Sequence, residues 1–297
     1  VSRVSSPGVE QQTSSIYIRS AGIYDIYLQN EGKYLAYTKD TDGNETFQLY
    51  LYEIGSGKST QLSDGKSRNT EPVWSNAGDK IVYSSTPVGE SGVNLRVINP
   101  FEAESDRLLA KSTGGYFKAY DWSPDDKQVV FCDFTSNTVS TLWLIDVATG
   151  KKVLLSPTTD QRELYDYPQF SKDGKGLYVV TDHDSDFRRI AYIDLTSRRI
   201  SYVPFAGRWD VDEFQLAPDG KTLAFITNED GISRLHLLDV IAGKKLSAPV
   251  LPIGIISDLK WHKNSSGVAF NFKSPQTPND VYSKLLQPAR WRCGRKA

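Results

Sequence analysis

Short apolar stretches alternate with polar turns along this chain, and the alternation itself repeats. Bulky residues at Leu28, Trp74, Trp122, Phe170, Leu216 and Trp261 are separated by 46, 48, 48, 46 and 45 positions. After each comes a polar turn ("QNEGK", "SNAGD", "SPDDK", "SKDGK", "APDGK", "HKNSS"), then an apolar strand such as "KIVY", "QVVF" or "TLAF". A variable polar loop follows, then a third strand such as "FQLYLYEI" or "STLWLIDV", and a weaker fourth such as "STQLS" or "KVLLS". No stretch sustains a helical period, so the chain is predicted to be all-β. A four-stranded sheet cannot bury both faces alone, and a repeat of about 45 residues predicts the blade of a β-propeller, stacked on its neighbours. About six blades are expected, at 22–66, 67–115, 116–160, 161–208, 209–254 and 255–283, the last incomplete. Residues 1–21 are expected to be a partial strand or irregular, and 284–297 a basic tail. The six bulky residues are the expected anchors of packing between blades.

One stretch, "GSGKST" at 55–60, has the look of a phosphate-binding loop. The full motif needs a glycine where Tyr52 stands, and a helix after it. The same arrangement recurs in "DVATGKKVLL" and "DVIAGKKLSA", where Glu53, Asp146 and Asp239 each stand four positions before Gly57, Gly150 and Gly243. The predicted element is a turn into the outermost strand, and no nucleotide site is expected.

Charge narrows the function classes. With 35 basic and 36 acidic side chains the net charge is −1, so no field is available to hold nucleic acid or an anionic membrane. No apolar run reaches the length of a spanning helix. Cys132 lies in an apolar strand and Cys293 in the basic tail, so Cys132 is expected to be a buried free thiol.

Chemistry-bearing motifs are few. In "DHDSDF", Asp182, Asp184 and Asp186 alternate as in a calcium loop, but Phe187 and Ile193 occupy the positions needing glycine and a carboxylate. His183, His236 and His262 form no spaced pair, so no metal and no cofactor are expected. No nucleophile elbow of the GxSxG kind occurs. The stretches entering each first strand mix aromatics with charges, a composition suited to peptides or another domain. They supply the candidate contact residues Arg68, Glu71, Tyr116, Tyr120, Tyr165, Tyr167, Arg208, Trp209, Asp210 and Asp258. The plainer alternative is that Tyr120, Tyr167 and Trp209 wedge between blades.

The segments "DGNETFQLYLYE", "DGKSRNTEPVWSNAGDKIVYSST", "FSKDGKGLYVVTDHDSDFRRIAYIDL", "WDVDEFQLAPDGKTLAFITNEDGISRLHLLD" and "KSPQTPNDVYS" resemble the propeller domain of the prolyl oligopeptidase family of serine peptidases, in the branch of dipeptidyl-peptidase IV and the acylaminoacyl-peptidases. The resemblance covers roughly residues 22 to 283. It implies a domain that caps a C-terminal α/β-hydrolase, restricts the catalytic chamber to short peptides, and is inactive alone. No catalytic residue can be carried over. After Tyr282 the chain departs from the family pattern, so a truncated or frame-disrupted product is expected. The repeats also resemble TolB-type propellers, which implies the alternative of a stand-alone protein-binding scaffold. Relatives with these motifs often carry export signals, implying a periplasmic or extracellular setting, with the cytoplasm as the alternative.

Overall fold

The structure is a computed structural model that describes residues 3–5, 15–17, 23–102, 104–157, 162–285 and 292–293. Every regular element among them is a β-strand. Six antiparallel sheets follow one another along the chain, each a meander in sequence order, and together they make a six-bladed β-propeller. The first strands are Ile23–Leu28, Arg68–Trp74, Tyr116–Trp122, Tyr165–Phe170, Val211–Leu216 and Ile255–Trp261. Each ends on one of the six bulky positions of the repeat. The sixth sheet has three full strands; its fourth is only Arg292–Cys293, opposite Tyr282 and Ser283. Arg3–Ser5 and Ser15–Tyr17 pair as a small separate sheet.

The chain divides into two compact units, residues 1–135 with 143–153, and residues 136–142 with 154–297. The first holds blades one to three apart from residues 136–142 and Leu154, and the second holds blades four to six. In the first unit, Val82, Leu95, Trp122, Val129 and Phe131 bury together between blades two and three. In the second, Phe214 and Phe225 pack on Val180 and Ile190, and Phe270 and Val268 pack on Ile226 and Leu237. Cys132 is buried and in no disulfide among the described residues.

The bulky positions do more than fill space. The Trp74 indole N–H donates to the Tyr27 carbonyl at 3.1 Å, that of Trp122 to Val73 at 3.1 Å, and that of Trp261 to Gln215 at 2.9 Å. Each acceptor lies one residue before the preceding blade's own anchor. Where the anchor is Leu216, Gln169 of the preceding blade bridges instead, donating to Phe214 O at 3.2 Å and accepting from Leu216 N at 2.9 Å. A buried aromatic thus brings its polar edge to a partner, as buried indoles do.

The Gly-Lys turns are hairpins into the fourth strand. Gly57 and Gly150 have φ of 73° and 72° and donate to the carbonyls of Glu53 and Asp146, each at 2.8 Å. The acid four positions back accepts from the turn, as when Asp146 Oδ1 takes the Thr149 N–H at 2.8 Å. Blade four has a further copy that the sequence pattern hid. Arg198, with φ of 63°, stands where the glycine would, and donates to the Asp194 carbonyl at 2.9 Å.

Candidate functional site

Every first strand carries one extra residue opposite its second strand. Such bulges bend a strand and re-aim side chains. They also explain why stretches that read as loops are largely strand: the extra residue breaks the alternation by which a strand is recognised. Arg68, Glu71, Tyr116, Tyr120, Tyr165, Tyr167 and Asp258 all lie in first strands, and only Arg208, Trp209 and Asp210 lie in a connection.

Three positions before each anchor stand Asp25, Glu71, Ala119, Tyr167, Glu213 and Asp258. In blades two, four and six this residue is left-handed, with φ of 55° at Glu71, 52° at Tyr167 and 57° at Asp258. In blades one and five it is a carboxylate that caps the bulge of the next blade. Glu213 accepts the Leu259 N–H at 2.7 Å and the Asp258 N–H at 2.9 Å. The Glu71 backbone N–H likewise favours the ionised form of Asp25. Burial pushes both carboxyl groups above their ordinary value, against the pull of these N–H donors.

In the first unit these positions converge on Glu71. Its carboxylate receives the Tyr116 hydroxyl and the Lys118 ammonium, the latter at 2.9 Å, and Lys118 also lies 5.0 Å from the centre of the Tyr120 ring. Burial, and then the neighbouring Glu71 charge, raise the Tyr116 pKa. Asp25 adds a second carboxylate whose Oδ2 is buried without a hydrogen-bond partner. Arg68 is exposed, with its guanidinium over Phe47 at 5.4 Å. Ser84 is fully buried and donates to Phe117 O at 2.9 Å, so its hydroxyl is a structural donor.

In the second unit Arg188 ties two connections together. Its N–H donates to Asp210 at 2.8 Å and its guanidinium to Asp212 at 2.8 Å. Burial raises the Asp212 pKa, while Arg188 opposes the shift. Tyr165 is buried, donates to Glu163 at 2.9 Å, and has its pKa raised first by burial. Glu163 also meets His183 Nδ1 at 2.9 Å. Asp258 accepts from Asn271 at 2.7 Å. Tyr167 packs on the core between blades four and five, whereas Trp209 remains 36% exposed. The wedge reading therefore suits Tyr167 and not Trp209.

Asp25, Lys118, Arg188, Asp212 and Glu213 were outside the candidate set. Counting back from the anchors would have found Asp25 and Glu213. Two open grooves, of ≈ 460 and ≈ 580 Å³, are lined in part by Arg107, Lys127 and Asp146, and by Arg234, His236 and Val250, away from all the candidate residues. Among the described residues no three His, Cys, Asp or Glu side chains are placed to hold a metal ion. Among the described residues no helix is long and apolar enough to cross a membrane. What the arrangement offers is a set of fixed charges and aromatic rings that can hold polar and basic groups.

Comparison with known proteins places these features in context. A family model described as the prolyl oligopeptidase N-terminal β-propeller domain matches residues 23–284. The chain is 25% identical over 244 residues to dipeptidyl-peptidase 5 of Porphyromonas gingivalis, over 75% of this chain and 33% of that protein. It therefore spans about a third of the length of that curated relative. Among solved structures, prolyl oligopeptidase B from Galerina marginata superposes with a TM-score of 0.75 at 15% identity, over 94% of this chain and 42% of that one. TolB from Acinetobacter baumannii superposes with a TM-score of 0.63 at 15% identity, over 86% and 61%. Likeness at this level of identity speaks for the fold alone.

Proposed function

We propose that this chain, which belongs to the prolyl oligopeptidase N-terminal β-propeller family, is the non-catalytic, substrate-selecting part of a serine peptidase. The observation that carries this reading is the extent of the match. It takes in residues 23–284, nearly all of the propeller, yet the alignment to a curated dipeptidyl-peptidase, over 75% of this chain, covers only 33% of that protein. The chemistry would reside in a hydrolase domain outside these residues. The propeller's part is steric and electrostatic: it admits short, unfolded peptides, excludes folded protein, and orients what enters through residues such as Glu71, Lys118 and Trp209. Fold likeness favours a second reading, a protein-binding scaffold of the TolB type, but at 15% identity it has less support.

The test is a chimera in which this chain replaces the propeller of the P. gingivalis dipeptidyl-peptidase. The isolated chain is expected to leave short chromogenic peptides uncut, with or without a serine-directed phosphonate. The chimera is expected to cut them and to spare a folded protein carrying the same sequence in a loop. Equal cleavage of the peptide and the folded protein would overturn the gating role. Phosphonate-sensitive turnover by the isolated chain would overturn the non-catalytic one.

A further inference from the structure

In an antiparallel meander, the hairpin from second to third strand and the connection to the next blade leave the sheet at the same end. In the second unit that end is rich in exposed apolar side chains. Of seven large ones exposed among its described residues, Phe187, Trp209, Val250, Ile253 and Ile255 lie there. Ile241 lies at the opposite end, and Val281 on a strand. Soluble surfaces scatter such residues singly, so their concentration at one end marks a contact surface.

Trp209 is held in place while it is exposed. On its C-terminal side, Asp210 accepts the Arg188 N–H at 2.8 Å through its side chain and the Asn228 N–H at 3.2 Å through its carbonyl. Val211 donates to the Arg188 carbonyl at 3.0 Å, and Arg188 reaches Asp212 at 2.8 Å. Phe187, next to Arg188, is 37% exposed, so two partly exposed rings lie on one cross-linked pair of connections. A rigid backbone carrying exposed Trp and Phe loses little freedom when it binds, the property that makes such residues hot spots.

Charge decides what the surface takes. Residues 182–189 and 208–213 contain six carboxylates and three guanidinium groups, in a chain whose overall charge is −1. Asp184 has 72% of its side chain exposed while one carboxylate oxygen lies 3.3 Å from His183 Nε2, and Asp186, beside Phe187, is exposed without an ion pair among the described residues. A negative field around fixed aromatic rings is complementary to a chain that carries Lys or Arg beside apolar residues, since cations are also drawn to an indole face. We propose that this end of blades four to six binds unfolded basic peptide segments, with Trp209 and Phe187 as the apolar anchor and Asp184 and Asp186 as partners for Lys or Arg. The proposal rests on the peptide-selecting role argued above and names the class selected.

The experiment uses the whole chain and three fluorescein-labelled unstructured peptides of equal length, which share one aromatic residue and are otherwise basic, neutral or acidic. Fluorescence anisotropy should rank them basic, neutral, acidic, with the basic advantage shrinking as salt rises. Trp209→Ala should weaken the basic peptide roughly tenfold, as loss of an interface aromatic does, while Trp209→Phe retains most of the affinity. Asp184→Asn with Asp186→Asn should weaken the basic peptide and leave the neutral one unchanged. Unaltered thermal melts identify the variants as folded. Equal binding of the three peptides, or binding indifferent to Trp209→Ala, overturns the proposal. So does self-association at the same concentrations that Trp209→Ala abolishes, which would give the surface to a second copy. No hydrolase takes part in this readout, so a chimera that fails to gate leaves this result standing, and the converse holds equally.

Discussion

Glu213 shows how one side chain can fasten two blades. The amide of Leu259, itself fully buried, has its partner 46 residues away in the Glu213 carboxylate. Glu213→Ala should therefore cost ~1–3 kcal/mol, the range for leaving a buried donor unsatisfied. Denaturant melts check it, and a loss indistinguishable from zero would mean that water reaches the bulge. Glu213→Gln keeps one acceptor for two donors and should fall between. Trp122 carries a larger stake, being 2% exposed and bonded to Val73. Trp122→Ala should cost ~3–5 kcal/mol, as large-to-small aromatic changes in a core do. The anchors could be read from the sequence because a period near 46 survives any local irregularity. The caps escape a local reading, because Glu213 and Leu259 never share a local window, and only counting back three places from each anchor reaches Asp25 and Glu213. The bulge that joins them also erases the alternation that would have marked its strand.

At the scale of the element, the hairpin into the fourth strand offers a pair of substitutions with opposite signs. Gly150 sits at φ of 72°, where an added Cβ would also meet Leu109 O at 3.4 Å. Gly150→Ala should cost roughly 1–2 kcal/mol, the penalty of a left-handed conformation for a residue with a side chain. Arg198 already bears that penalty at φ of 63° and is exposed. Arg198→Gly relieves roughly 1–2 kcal/mol of it and gives back ~0.4–1 kcal/mol through the freer unfolded chain. The net expectation is stabilisation of up to ~1.6 kcal/mol, seen as a small rise in melting temperature. A fall would mean that the Arg198 side chain holds something that its backbone does not reveal. Three of these turns were legible because Gly-Lys after an acid is a local signature. The fourth was not, because the backbone geometry persists with arginine in the glycine position and only the acid, Asp194, remains as a clue.

At the scale of the molecule, carboxylates with shifted values among the described residues fall into two groups with opposite consequences for stability. Asp25, Asp133, Asp212 and Glu213 have folded values raised chiefly by burial. Between the ordinary carboxylate value and the raised one, the folded chain binds more protons than the unfolded chain, so stability falls as pH rises through that window. His236, lowered by burial, acts the other way: below the ordinary histidine value the unfolded chain takes up the proton first, and stability falls as pH falls. Asp125, Asp146, Asp173 and Asp194 have folded values lowered, first of all, by turn hydrogen bonds. Their contribution is lost as pH drops through those folded values. To isolate the caps, the melting temperature of the chain is compared with that of the Asp25→Asn, Glu213→Gln double variant across this range. The variant lacks both titrations, so any fixed difference in stability cancels from the slope. The native chain should lose ground as pH rises from the ordinary carboxylate value to the raised folded values. Parallel curves would mean that the two carboxyls titrate alike in the folded and unfolded chain. Curves that diverge in the opposite sense would mean that the capped N–H groups outweigh burial and hold both caps ionised.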